Sequence, residues 1–166
     1  MQRLKIILRN RLKSAQRVAV LGIGSELRGD DAVGTMIAKE LKAAHIKKKK
    51  TKSVKVFLGQ TAPENLTGEI KKFKPTHLVI IDAVDFEGQA GAVKIIDTDK
   101  EMGPSFSTHK MPVHIIKDYL CNSIGCETII IGIQPQSYDF FCSLSDKIQQ
   151  SVKKLSIELK DALNDD

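Results

Sequence analysis

Three short segments carry side chains able to hold a metal ion where a chain usually exposes them. Gly29-Asp30-Asp31 follows a glycine-rich turn, Asp82 ends the apolar run from His77, and His109 stands in the Ser/Thr-rich stretch 105–109. Two carboxylates and an imidazole form a mixed oxygen and nitrogen set that suits a borderline divalent ion such as nickel or zinc. Brought together, they would make a metal-centred active or recognition site. Each also has a plainer reading. Asp30 or Asp31 can cap the next helix, Asp82 can be a strand-end turn residue, and His109 can be a surface histidine. Two adjacent acids allow both roles, with Asp30 capping and Asp31 projecting.

The elements that must position these residues are legible from hydrophobic periodicity. An apolar strand over 18–24 ends in Gly22-Ile-Gly24, and a helix from about Asp30 to Ala44 carries Val33, Met36, Ile37, Leu41 and Ala44 at helical spacing. A short strand over 54–58 leads to Thr61-Ala-Pro63-Glu64, which reads as a capping box opening a helix to about Phe73. Residues 77–82 form a near-continuous apolar strand, as expected when both faces of a sheet are covered. A further strand over 92–96 comes too soon for a helical crossover and is expected to run antiparallel. A helix from Pro112 to about Cys121, a strand over 128–132 and a last helix over 144–163 complete the chain. Strands alternating with helices predict an α/β fold: a three-layer sandwich, with a twisted, mostly parallel sheet of about five strands and helices on both faces. In such sheets ligands bind beyond the carboxyl ends of the strands, which is where Asp31, Asp82 and the loop of His109 fall.

The expected organisation is one α/β domain over residues 18–166 behind a basic extension, residues 1–17. That extension holds Leu4, Ile6, Ile7, Leu8 and Leu12 and no acid, so an interfacial or targeting helix, or a helix packed loosely on the body, are its two readings. The 166 residues suffice for one core without staples. No apolar run reaches the roughly 20 residues that span a bilayer, and the three cysteines (Cys121, Cys126, Cys142) form no CxxC pair. A reduced, cytoplasmic compartment is the resulting expectation.

The net charge of +6 is local rather than global. Residues 1–17 and 47–55 each carry six basic and no acidic residues; without those twelve the body has 14 basic against 20 acidic residues. Aromatics are only 5%, and no basic face with stacking platforms is implied, so nucleic acid is not an expected partner. Gly22-Ile-Gly24 invites a dinucleotide reading, but the next glycine is Gly29 and no acid ends the second strand, where Gly59 and Gln60 stand. There is no GxSxG elbow and no Walker A sequence.

Five blocks occur in order: Gly22-Ile-Gly24…Gly29-Asp30-Asp31-Ala-Val-Gly34, Thr61-Ala-Pro-Glu-Asn65, Ile81-Asp82-Ala-Val-Asp85, Thr108-His109-Lys-Met-Pro112 and Gly132-Ile-Gln-Pro135. Through them, over about residues 18–160, the sequence resembles the hydrogenase maturation proteases, endopeptidases that trim the C-terminal extension of the nickel–iron hydrogenase large subunit. The blocks look like those of the branch serving formate-linked hydrogenases. The resemblance implies that Asp31, Asp82 and His109 bind nickel and form the catalytic set, with nickel recognised either as a bound ion or as cargo already loaded in the precursor. It implies a monomeric cytoplasmic enzyme whose partner is the large-subunit precursor, with no membrane involved. Asn65 and Gln134 are candidates to touch the substrate peptide; helix-start hydrogen bonding and strand-end capping are their alternatives. Ser25 departs from the asparagine usual in the family, and Ala32 from a frequent glycine. The competing expectation is a maturation chaperone that binds nickel or precursor without cutting.

Overall fold

The computed structural model describes residues 2–44, 46, 52–97 and 113–165. Five strands form one sheet: β1 (Arg17–Ile23), β2 (Ser53–Gln60), β3 (His77–Ala83), β4 (Val93–Ile96) and β5 (Glu127–Ile133). Their order is β2-β1-β3-β5-β4. β1 pairs in parallel with β2 and β3, and β3 in parallel with β5. β4 runs antiparallel to β5, as its short connection to β3 requires.

The helices are α1 (Gln2–Leu12), α2 (Val33–Ala43), α3 (Thr67–Phe73), α4 (Val113–Ile124) and α5 (Asp146–Asn164). They cover both sheet faces, and strand residues alternate between two cores as the pleat demands. Val18, Val20, Val79, Ile81, Ile129 and Ile131 meet α1, α2 and α5 on one face. Ala19, Leu21, Leu78, Ile80 and Ile130 meet α3 and α4 on the other. Every residue of β3 is buried, which explains its unbroken apolar sequence.

Residues 2–17 are not a loose appendage. Leu8 and Leu12 are fully buried and Leu4 nearly so, one turn apart on one helix face and within the same core as α5. The basic residues opposite are paired with the body. Lys5 Nζ lies 2.7 Å from Asp161 Oδ2, Arg9 pairs with Asp165, and Arg11 donates to Glu127 Oε1 at 3.1 Å and to the Thr128 carbonyl at 2.9 Å. Neither the interfacial nor the loosely packed reading of this segment holds. The leucine spacing gives the helix a third role, as part of the core.

Two helix starts differ from expectation. Residues 29–32 form a single 3-10 turn before α2, and Asp30 does not cap it. The box at Thr61–Glu64 does not close either: Ala62 holds the N-cap position of a 3-10 turn, Pro63–Leu66, with no side-chain cap, and α3 starts only at Thr67.

Candidate active site

β1 and β3 lie side by side, but the chain leaves β1 toward β2 and returns on the other side of β1 to make β3. This reversal is a topological switch point at the carboxyl ends of β1 and β3, the crevice in which α/β sheets place ligands. Gly22 stands beside Ile81 in the register, so the segment after β1 and Asp82 share that rim. Asp31 and Asp82 are both fully buried there.

The turn from β1 to α2 is built to aim Asp31. Gly24 has φ +131°, and a Cβ on it would fall 1.7 Å from the Asp31 carbonyl oxygen. No other residue type fits there. Gly34, one turn on, lets α2 press onto the strand ends: a Cβ would lie 2.1 Å from the Ile81 oxygen and 2.4 Å from the Ile23 oxygen. These glycines therefore serve close backbone packing rather than a dinucleotide phosphate. The Ser25 backbone N–H donates to Asp31 Oδ2 at 2.8 Å. Because the donor is main chain, serine in place of the family's asparagine leaves this contact intact. Asp82 Oδ1 accepts the N–H of Ala83 at 2.9 Å.

Asp30, also buried, has a different task. Its Oδ2 accepts from the backbone of Gln136 at 2.8 Å and Ser137 at 3.1 Å, and its carboxylate takes both the amide and the hydroxyl of Ser145. It fastens the loop 134–145 to the turn that carries Asp31. Gln134 performs a similar service for the loop after β3. Its Oε1 accepts from Phe86 at 2.9 Å and Gly88 at 3.1 Å, and its Nε2 donates to Asp85 Oδ1 at 3.0 Å. Gln134 thus has its amide engaged in loop contacts. The N–H of Glu87 and the Gln134 amide hold the Asp85 carboxyl below the usual carboxylate range. Asn65 is exposed in the turn after β2, on the same end of the sheet. His109 lies outside the described residues, and among the described residues no three His, Cys, Asp or Glu side chains group as a metal set.

Two residues not singled out in the sequence complete the crevice. The Tyr138 hydroxyl is buried with no hydrogen-bond partner among the described residues. Burial raises its pKa, and the charges of Asp82, Asp31 and Asp85 raise it further, partly offset by Arg28. The Arg28 guanidinium stands 5.9 Å from the centre of the Tyr138 ring and 5.0 Å from that of Phe140. The available signal is positional: Tyr138 comes after β5 on the rim that also picks out Asp82.

The model for hydrogenase maturation proteases matches residues 35–161. The chain belongs to the hydrogenase maturation protease family. A putative hydrogenase maturation protease of Methanocaldococcus jannaschii is 39% identical over 155 residues, covering 92% of this chain and 91% of the relative. The hydrogenase 3 maturation protease of Escherichia coli K12 is 35% identical over 136 residues, covering 81% and 83%. Among solved structures, a [NiFe] hydrogenase maturation protease from Thermococcus kodakarensis superposes with a TM-score of 0.85 at 31% identity, over 96% of this chain and 99% of that one. So high a coverage takes in part of residues 1–17, so the N-terminal helix of this maturation protease has at least a partial counterpart. The five-stranded α/β fold is the family's, and the activity is that of a hydrogenase maturation endopeptidase. Among the described residues no helix is long and apolar enough to cross a membrane.

Proposed function

We propose that this endopeptidase removes the C-terminal extension of a nickel–iron hydrogenase large-subunit precursor, and that Asp31, Asp82 and His109 recognise the nickel. The observation that carries the reading is the pair of fully buried carboxylates beyond the carboxyl ends of the neighbouring strands β1 and β3. Two buried acids in one crevice are costly unless hydrogen bonds, a proton or a cation balance them, and a divalent ion is one such balance. An oxygen pair with one imidazole from the 98–112 segment is a donor set that nickel accepts.

An amide is a poor electrophile, so its carbonyl must be polarised, a water activated, or both. Asp31, Asp82 and His109 would hold a divalent ion, whose Lewis acidity would act on the scissile carbonyl. The protein's own share is orientation and charge. Asp31, in the 3-10 turn after β1 and fixed by the Ser25 amide, and Asp82, at the end of β3 and fixed by Ala83, would present the two carboxylates. Tyr138 keeps its proton beside them and is placed to donate a hydrogen bond to a developing negative charge. When nickel arrives within the precursor, the same three residues read it as part of the substrate, and cutting becomes conditional on metal insertion. The enzyme is proposed to work as a cytoplasmic monomer, with Asn65 at the peptide's path.

The test is incubation with nickel-loaded and nickel-free precursor, read by mass spectrometry, for the wild type, Asp31→Ala and His109→Ala. Loss of the clipped fragment in both variants is expected. Cleavage that survives both substitutions rejects the assigned site.

A further inference from the structure

Beside the crevice the protein holds three apolar side chains out in solvent. Phe141 is 86% exposed, Phe140 63% and Leu27 61%. The two rings are contiguous, with centroids 6.3 Å apart, and the Phe141 N–H donates to the Leu27 carbonyl at 2.8 Å. Phe141 has φ +59°, in the left-handed region. An aromatic side chain there costs on the order of 1–2 kcal/mol and persists only where neighbours over-determine the backbone. Those neighbours are Asp30, which pins residues 136, 137 and 145 on either side, and the Leu27 carbonyl. A glycine at 141 would satisfy the same backbone without strain. The fold instead keeps a strained residue whose ring packs on nothing in its own core.

We propose that Phe140, Phe141 and Leu27 form a docking crest that inserts into an apolar recess on the folded body of the protein substrate while its cleaved segment reaches Asp31 and Asp82. The proposal rests on the precursor-processing reading above and adds to it a binding surface away from the cut. Continuity with the crevice supports this occupant. Leu27 and Arg28 lie in the turn that leads to Asp31, and Arg28 stacks between Phe140 and Tyr138, so crest and carboxylates share one rigid support. The surface is a projecting one, unlike the concave sites that enclose small ligands. Exposed aromatic anchors are what protein interfaces use as hot spots. Asp139 adjoins Phe140 and is exposed, whereas the charge of Glu26 is balanced by Lys39; the acid beside the rings suits a basic group on the rim of the recess and does not suit an anionic lipid surface.

The full-length protein carries the test, with Phe141→Gly and the double variant Phe140→Ser/Phe141→Ser. Phe141→Gly relieves the strained backbone, so its melting temperature should be equal to or above the wild type's. Its KM for the folded precursor should nevertheless rise about tenfold, with kcat within twofold, and the double variant should exceed that shift. A KM unchanged in both variants, or a fall in kcat at constant KM, overturns the crest. So does a wild-type dimer in sedimentation that the double variant dissolves without altering KM, or binding to anionic vesicles that the double variant abolishes while KM stays the same. If the wild type fails to cut the precursor, the function reading fails, and the crest is then judged on precursor affinity alone. A tenfold weaker Kd in the variants upholds it and an equal Kd removes it.

Discussion

Asp30 binds Ser145 twice: Oδ1 accepts the serine amide at 2.7 Å and Oδ2 its hydroxyl at 3.0 Å. Ser145 stands at the N-cap of α5 but makes no side-chain cap there. Adjacent carboxylates therefore have separate contacts, Asp30 closing the loop 134–145 and Asp31 holding the Ser25 amide at the turn after β1. Asp30→Ala strands several donors around a buried site and should cost about 3 kcal/mol or more. Asp31→Asn retains an acceptor for the Ser25 amide, so it should leave the melting temperature within a few degrees while lowering cleavage about a hundredfold. Thermal melts beside cleavage assays separate the two, and similar melts for both variants would refute the division of labour.

Gly34→Ala should be among the most damaging small substitutions in the chain. The added carbon meets two main-chain oxygens, those of Ile23 and Ile81, and neither belongs to a flexible side chain. The strand ends must part, at about 3 kcal/mol or more. Since Ile81 precedes Asp82, cleavage should fall further than the unfolded fraction explains. Denaturant titration with activity measured on the folded population checks both.

Leu8→Ala tests the first helix as core. A fully buried leucine trimmed to alanine costs about 2–5 kcal/mol. A loss below about 0.5 kcal/mol in chemical denaturation would return α1 to the role of an accessory.

Tyr138→Phe removes one hydroxyl and nothing else. The hydroxyl has no hydrogen-bond partner among the described residues, so stability should hold or rise slightly. If the phenol supports a developing charge, kcat should drop about tenfold or more with KM little changed. Equal kcat in the two proteins would assign Tyr138 to packing.

Alkaline pH gives a stability prediction with a definite sign. Burial, and after it the neighbouring Cys121, pushes the Cys126 thiol from 9.0 up to about 11. The folded state therefore favours the neutral thiol. Its contribution is complete below pH 9 and is lost as pH rises from there through 11. Cys126→Ala should flatten that part of the stability profile. Thiol labelling at neutral pH should modify exposed Cys142 well before buried Cys126.

Much of this fold is legible in local pattern. The apolar run at β3 reads as a doubly covered strand because all seven residues are buried, and β4 reads as antiparallel because its connection is too short to cross. Strand order is not legible, since parallel pairing leaves no mark within a strand. α1 is easily misjudged although Leu4, Leu8 and Leu12 are spaced to share one face; its acid-free charge points to outside partners, whereas Asp161 and Asp165 are the ones it meets. Asp30 resembles a cap because caps are local, whereas its partners lie more than a hundred residues away. Asp31 and Asp82 can be found because the carboxyl ends of strands deliver the adjoining residues to a rim. The contacts of Gln134 with Phe86, Gly88 and Asp85 are not legible in the sequence, because those partners lie more than forty residues away.

Where Gly22 and Gly34 meet, main chain rests on main chain, with the Gly34 oxygen 2.2 Å from where a Gly22 side chain would begin. Such a seat has no soft layer to deform, so the floor beneath the proposed site is nearly invariant in shape. Variation in which precursor is accepted must then be written in the surrounding loops, and relatives with different targets should share this floor while differing in the residues that crown it.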